Sequence, residues 1–348
     1  MSRPVSPAGR LLRFLRRQGK GMGPMLILTH DHPDPDAVAS AQALAHLVRV
    51  ICRAPCRIAH GGIIGRVENQ TMVRILKIPV RPLRRRTDLR RFRSIALVDT
   101  QPGFGNNPFP KDAVAALVVD HHPGVRSGGA SCLVVDTTAG ATSVILAEAL
   151  LRAGCSIPTD LATALVYGIV SETQELSRQT RDRDIAVYRR LFPLSDLRSL
   201  ALIQNPQRPE DFFRTLRSSL ENAFTAGPLI GAHLGVVSTP DLVSQTTDFL
   251  LTCEGMRWSF CTGRYLSRLH VSLRATRPGL HAGRLLQKVL GGKDRAGGHG
   301  SMAGGSLRLR PPVREGAWRR AERGVTRRLL RRIGLGRFRL RFSFRTKR

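Results

Sequence analysis

The chain has 348 residues and 42% hydrophobic content, enough for two ordinary domains with buried cores. It carries 56 lysines and arginines against 25 aspartates and glutamates, a net charge of +31. This excess favours phosphate-bearing partners or an anionic membrane surface and says nothing about the fold. No apolar run approaches the roughly 18 residues of a membrane span, and the six cysteines form no CxxC pair, so membrane-spanning and disulfide-stapled classes are excluded and a cytoplasmic location is expected.

The first half of the chain alternates apolar strand-like runs with helical segments. The alternation predicts an α/β domain over residues 25–192, built on a doubly wound, mainly parallel sheet. Continuous apolar strands of this kind are covered on both faces. The predicted strands are 25–28, 95–98 and 116–119, and the predicted helices are 37–50, 141–152, 159–170 and 182–191.

A second, smaller α/β domain is expected over residues 210–310, after a proline-rich linker at 193–209. This domain closes with a glycine-rich loop at 297–305, in which backbone N–H groups can approach an anion closely. Such loops are also common as plain turns before strands. The predicted elements are helices at 211–224, 242–251 and 282–290 and strands at 232–237, 258–262 and 269–273.

Arginine-rich segments flank and interrupt these domains. Residues 1–24 are assigned to a basic N-terminal extension, residues 81–93 form a basic segment, and residues 311–348 form an arginine-rich tail. In the tail, Val325 and Leu329 belong to an apolar series at helical spacing, which predicts a basic amphipathic helix able to meet nucleic acid or an anionic membrane. The alternative is a solvated extension without a function of its own.

Three clusters of acidic and histidine residues follow the predicted strands. The clusters are His30 with Asp34 and Asp36, then Asp99, then Asp120 with His121 and His122. Ligands of parallel sheets bind beyond the carboxyl ends of the strands, where all three clusters would lie. Carboxylates mixed with imidazoles suit Mn²⁺ or Mg²⁺. Alternatively, Asp34 and Asp36 merely cap the helix that follows them.

Together with two later segments, these clusters resemble the DHH phosphoesterase superfamily, in the branch whose C-terminal domain ends in a GGH loop. The matching segments cover about residues 25–310 in the family's order. They are 29–37, 98–100, 120–123 and 167–174, followed by 272–274 and 297–299.

The resemblance implies two α/β domains around a cleft and hydrolysis of a phosphoester or phosphoanhydride with two Mn²⁺ ions, Mg²⁺ being the alternative metal. One metal would take His30, Asp34 and Asp99, and the other Asp36, Asp99, His121 and Glu172, with Asp99 as the bridge and part of the catalytic group. His122 would contact the scissile phosphate or assist the leaving oxygen, and Asp120 would orient a histidine. The implied substrate-binding residues are Arg274, Gly297, Gly298 and His299.

Glu172 departs from the family pattern, which has aspartate at this position, and Glu175 is a weaker substitute one helical turn further on. The favoured substrates are short oligoribonucleotides and 3'-phosphoadenosine 5'-phosphate, as for nano-RNases. The alternatives are a RecJ-like single-strand exonuclease, a pyrophosphatase or polyphosphatase, and a nucleic-acid-binding protein with weak or no catalysis. Partners expected besides the substrate are nucleic acid or an anionic membrane at the arginine-rich tail, and a second copy in a homodimer.

Overall fold

The computed structural model describes residues 5–124, 129–178, 180–292, 295–337 and 340–341. The chain divides into two compact units between Pro206 and Gln207. Within the described ranges, no helix combines the length and the apolar content needed to cross a membrane.

Unit 1, which ends at Pro206, is built on a parallel sheet of six strands in the order β3-β2-β1-β4-β5-β6. Its strands are β1 (Met25–Leu28), β2 (Cys56–His60), β3 (Val80–Pro82), β4 (Ser94–Val98), β5 (Ala115–Asp120) and β6 (Ala130–Val135). Its helices are α1 (Pro7–Gln18), α2 (Pro35–Leu47), α3 (Val67–Ile75), α4 (Thr142–Arg152), α5 (Thr159–Glu172), α6 (Asp182–Leu191) and α7 (Leu197–Gln204). The predicted α/β class and parallel sheet are confirmed, and each predicted strand and helix of this half is present within a few residues.

The two faces of this sheet are covered differently. One face packs against the helices, so that Ile27 and Val98 share a core with Leu44 of α2 and Ile145 of α4. The other face, carrying residues such as Leu26, packs against the loops that follow β3 and β4. A doubly wound sheet is expected to have helices on both faces. Here the connections from β3 to β4 and from β4 to β5 contain no α-helix within the described residues, so loops cover the second face.

Helix α1 lies inside residues 1–24, the segment that we assigned to an extension. Its residues Leu11, Leu12 and Leu15 are buried in the same core as the sheet, while Arg13, Arg16 and Arg17 face solvent. This 3–4 residue spacing gives the helix an apolar stripe toward the core and a basic outer face. The predicted boundary at residue 24, between the extension and the α/β domain, thus separates α1 from the core into which it packs.

Unit 2, which starts at Gln207, contains a mixed sheet in the order β11-β12-β10-β9-β8-β7. Only β8 and β9 are paired in parallel within this described sheet. Its strands are β7 (Phe224–Ala226), β8 (Leu229–Val236), β9 (Trp258–Tyr265), β10 (Arg268–Ala275), β11 (Ala296–His299) and β12 (Met302–Arg308). Its helices are α8 (Glu210–Glu221), α9 (Asp241–Leu251), α10 (Ala282–Leu290) and α11 (Glu315–Arg332).

Helix α11 occupies residues 315–332 of the segment predicted as an arginine-rich tail, and it is part of the core of unit 2. Val325 and Leu329 are fully buried among residues of β10 and α10. The Arg264 guanidinium donates to the Glu322 carboxylate of this helix at 2.7 and 3.0 Å. The predicted amphipathic helix is therefore present, but its apolar face is occupied by its own domain and is not available to a membrane. Its outer face keeps the arginines, so contact with nucleic acid through them stays a prediction.

We expect Leu329→Ala to destabilise unit 2 by about 2–5 kcal/mol, because it leaves a cavity in a fully buried position. Urea unfolding followed by tryptophan fluorescence measures this, since Trp258 and Trp318 are the two tryptophans of the chain and both lie in this core. Arg332→Ala at an exposed position of the same helix is the matched control. Equal stability of both variants would mean that the helix is a solvated extension.

Candidate metal centre

The three predicted acidic and histidine clusters lie at one edge of the sheet of unit 1. His30 follows β1, Asp99 directly follows β4, and Asp120 ends β5. These three strands are neighbours in the sheet and run parallel, so their carboxyl ends meet at the same edge. The sequence prediction that these motifs share an edge is therefore confirmed.

Asp99 is the centre of this arrangement. His30 Nε2 lies 3.5 Å from Asp99 Oδ2, and His121 Nε2 and His122 Nδ1 lie 3.7 and 3.6 Å from Asp99 Oδ1. The hydroxyl of Thr142 donates to Asp99 Oδ1 at 2.8 Å. The backbone of Asp99 is in the left-handed region, with φ of 58°, which aspartate tolerates better than most residues. The carboxylate is thus buried and held where three histidines converge.

These side chains fit a divalent cation. Among the described residues, two groups offer ligand atoms within 4.8 Å of one another: Asp99 with His121 and His122, and His30 with Asp34 and Asp99. Both groups share Asp99, the residue that the resemblance implies as the bridge. In addition, His121 Nε2 is buried without a hydrogen-bond partner in the described part of the chain. Burying an unpaired polar atom costs free energy, and coordination of a metal by this nitrogen would remove that cost. The first group also includes His122, which the resemblance assigned to catalysis.

Asp34 combines the two roles that we considered as alternatives. Its Oδ1 accepts from the Ala37 backbone N–H at 3.0 Å and caps α2, while Oδ2 lies 3.8 Å from His30 Nε2. Burial acts to raise the pKa of Asp34, but the contact with His30 outweighs it and holds the pKa well below the ordinary value. Burial acts to lower the pKa of His30, but Asp34 and Asp99 raise it well above the ordinary value. Capping therefore leaves one oxygen of Asp34 directed toward the histidine.

Asp36 has different contacts from those of its neighbour. Its two carboxylate oxygens accept from the backbone N–H groups of Thr142 and Ser143, at 2.7 and 2.8 Å, at the start of α4. Helix N-termini bind carboxylates well because their first N–H groups lack partners within the helix. Burial and the charge of Asp34 nevertheless raise the pKa of Asp36 to about 6. In the structure, the Asp36 carboxylate links α2 to the N-terminus of α4 through these hydrogen bonds. The role of Asp36 as a ligand stays a prediction.

Glu172, the last residue of α5, lies close enough to the other carboxylates to be affected by their charges. Burial, followed by the charges of Asp34, Asp36 and Asp99, raises the pKa of Glu172 to about 9. Arg178 donates to Glu172 Oε1 and to its backbone oxygen, both at 2.9 Å. Such crowding of negative charge favours a bound cation. Glu175, the weaker substitute, is exposed in the following turn.

We expect the metal-free protein to lose stability between pH 5 and pH 9, partly through Glu172. A carboxyl whose pKa is raised on folding binds its proton more tightly in the folded state, so stability falls as pH rises from the unfolded value near 4.5 through about 9. In Glu172→Gln this part of the loss should disappear, raising Tm at pH 9 by about 2–4 °C for each kcal/mol recovered. Calorimetry in EDTA at pH 5, 7 and 9 measures it, with Glu175→Gln as control. Parallel curves for wild type and Glu172→Gln would contradict the prediction.

Asp120 and His122 form a hydrogen-bonded pair beside Asp99. Asp120 Oδ1 lies 2.8 Å from His122 Nδ1 and also accepts from the backbone N–H groups of His121 and His122. The amide of Gln101 donates to Asp120 Oδ2 at 2.7 Å. Burial acts to lower the pKa of His122, but Asp120 and the charge of Asp99 raise it to about 9. These contacts favour the protonated form of the His122 imidazole, and the buried Asp120 carboxylate orients the ring.

Three residues that contact the cluster were missed in the sequence: Gln101, Thr142 and Arg178. Gln101 follows Asp99 by two positions and could have been found from that motif. Thr142 and Arg178 lie outside every motif, and Thr142 is 43 residues from the carboxylate that it contacts.

In unit 2, Arg274 is part of the internal structure. Its Nε donates to Asp248 Oδ1 at 2.5 Å, and its Nη1 donates to Ser272 Oγ at 2.9 Å and to two backbone carbonyls. The guanidinium is thus largely occupied by its own domain, and its role in binding substrate stays a prediction.

The predicted glycine-rich loop is mostly strand, because 296–299 and 302–308 pair as β11 and β12. Gly298 has φ of 140°, and a Cβ there would overlap the Met302 carbonyl oxygen. Gly297 is exposed with open space at its Cβ position. The side chain of His299 lies outside the described part of the chain. The roles of these three residues in substrate binding stay predictions.

No protein-family model matches the chain. The uncharacterized protein MJ1633 of Methanocaldococcus jannaschii is 32% identical over 302 residues, which are 86% of this chain and 61% of that protein. The chain thus spans less than two thirds of the length of this relative.

Solved structures of other proteins have a similar fold. An exopolyphosphatase-related protein from Bacteroides fragilis matches 96% of this chain and 100% of its own, with a TM-score of 0.72 and 13% identity. The exonuclease RecJ bound to manganese matches 94% of this chain and 96% of its own, with a TM-score of 0.50 and 14% identity. The chain therefore has the α/β fold that these two structures share.

Proposed function

We propose that this protein is a metal-dependent phosphoesterase of the DHH superfamily. The observation that carries the proposal is the convergence of His30, Asp34, His121 and His122 on the buried carboxylate of Asp99. The fold shared with an exopolyphosphatase-related protein and with a manganese-bound exonuclease supports it.

One Mn²⁺ ion would be held by His30, Asp34 and Asp99, and a second by Asp36, Asp99, His121 and Glu172. Bound there, the ions would supply Lewis acidity and neutralise charge on a phosphoryl group. Thr142 keeps Asp99 in place by donating to Oδ1. His122, held by Asp120, can donate a proton or a hydrogen bond to a phosphoryl or leaving oxygen.

Within this class, short oligoribonucleotides and 3'-phosphoadenosine 5'-phosphate are the substrates that we propose. Long single strands are commonly bound by rows of aromatic side chains on which bases stack. This chain has three tyrosines and two tryptophans. Trp258, Trp318 and Tyr167 are buried, and Tyr188 stacks on Phe192. Few tyrosine and tryptophan rings are therefore available for stacking, which supports a short substrate.

The test is a panel of substrates incubated with Mn²⁺ or Mg²⁺. We expect release of mononucleotide from 5'-labelled RNA of two to five residues, and of phosphate from 3'-phosphoadenosine 5'-phosphate. A 24-residue RNA, pyrophosphate and polyphosphate are the comparison substrates. Preference for the 24-residue RNA would replace the proposal by a RecJ-like exonuclease, and preference for pyrophosphate or polyphosphate by a phosphoanhydride hydrolase. No turnover on any substrate, with RNA still bound, would favour a binding protein.

A further inference from the structure

A surface pocket of about 660 Å³ lies on the loop-covered face of the sheet of unit 1. Its volume is in the range of pockets that bind small molecules. The basic segment at residues 81–93, which the metal centre does not use, forms much of its wall.

The strand register explains how this pocket becomes both apolar and basic. Arg57 of β2 pairs with Leu26 of β1, and Arg81 of β3 pairs with Ala59 of β2. Side chains two residues apart on a strand share a face, so these residues lie on one side of the sheet. Leu26 and Ala59 belong to the core of that face together with Phe92. The floor of the pocket is therefore apolar, and arginines line the pocket beside it.

The charges of the pocket favour an anion. Arg57, Arg81 and Arg84 are exposed, and none forms an ion pair within the part of the chain that the structure describes. The acidic lining residue, Asp88, lies 3.7 Å from Arg91 Nε and accepts from the Arg85 backbone N–H. Three arginines thus remain without a counter-charge beside an apolar surface.

We propose that this pocket binds a nucleoside phosphate, with its base on the apolar floor and its phosphates on Arg57, Arg81 and Arg84. Guanidinium groups bind phosphate through paired N–H donors and also stack on planar rings. A phosphate ion alone would need neither this volume nor the apolar floor. This binding site is independent of the proposed hydrolytic function.

The pocket is separate from the metal centre. Leu26 precedes His30 by four residues along β1 and the loop after it, a span of about 13 Å in extended chain. Pro24 and Pro79, which also line the pocket, precede β1 and β3, whereas the metal-centre residues follow the carboxyl ends of their strands. Ligand bound here would leave the carboxylates and histidines uncovered.

The test uses the full chain carrying Asp99→Asn, in EDTA, so that ADP does not bind with metal at the other site. Isothermal calorimetry should show that Arg57→Ala and Arg81→Ala each raise the Kd for ADP by about tenfold or more. Arg90→Ala, an exposed change in the same segment outside the pocket, is the matched control and should leave the Kd unchanged. Pyrophosphate, which lacks a base, should bind more weakly than ADP.

A second measurement is photo-cross-linking with an azido derivative of ADP, and we expect labelled peptides from residues 79–92. Unchanged ADP affinity in both arginine variants would overturn the proposal. So would equal affinity for pyrophosphate, labelling confined to the metal-centre loops, or displacement of the label by a 24-residue RNA but not by ADP.

Discussion

Replacing Asp99 with asparagine should remove metal binding and lower turnover by a factor of about 10³ or more, a loss typical of essential groups. Asparagine has the same shape and can still accept the hydrogen bond from Thr142. It lacks the negative charge toward which His30, His121 and His122 converge. Calorimetric titration with Mn²⁺ and hydrolysis of short RNA measure the two effects separately.

The control for this prediction is Asp112→Asn, which removes one negative charge from an exposed position. It should retain both Mn²⁺ affinity and turnover. The Tm of metal-free Asp99→Asn should not fall, because the change removes the cost of burying a charged carboxylate and the repulsion from Asp36. Mn²⁺ binding as tight as in wild type would show that Asp99 is not a ligand and would refute the proposed centre.

The position of the site could be predicted from the sequence because it follows from a topological rule. The apolar runs in the sequence identify β1, β4 and β5. Because these strands are parallel, the residues that follow them lie at one edge of the sheet. The contacts within the site were harder to predict. The position of Asp36 depends on the start of α4, more than 100 residues away, and no local pattern specifies that approach.

The partners of helix α11 and of Arg274 could not be predicted for a similar reason. The spacing of Val325 and Leu329 predicts an apolar face on α11, but not the surface that covers it, and the structure shows the core of the same unit. Arg274 stands in a motif that suggests phosphate binding, yet Asp248, 26 residues earlier, provides its counter-charge. Periodicity predicts which side chains share a face, whereas long-range contacts determine their partners.

His122→Gln should lower turnover by about 10²–10⁴-fold, the usual contribution of a positioned acid or base, with a smaller effect on Mn²⁺ affinity than Asp99→Asn. The pairing with Asp120 favours a positively charged His122 at neutral pH, and glutamine cannot carry that charge. If His122 is instead a ligand, as its place beside Asp99 and His121 in the first group of ligand atoms allows, turnover and Mn²⁺ affinity should fall together. If it has only a packing role, turnover should stay near wild type while Tm falls.

The pH dependence of turnover distinguishes a protonated His122 from these alternatives. The protonated imidazole is lost as pH rises through its pKa, so activity should decline on the alkaline side. Bound cations repel the positive charge, which places this decline below pH 9 in the metal-loaded protein. Asp120→Asn removes the charge that helps to raise this pKa, and it should move the alkaline decline to lower pH. Gln101→Ala removes a donor to Asp120 but keeps the Asp120 charge, so it should move the decline far less than Asp120→Asn does. An alkaline limb at the same pH in all three proteins would show that His122 does not act as the acid.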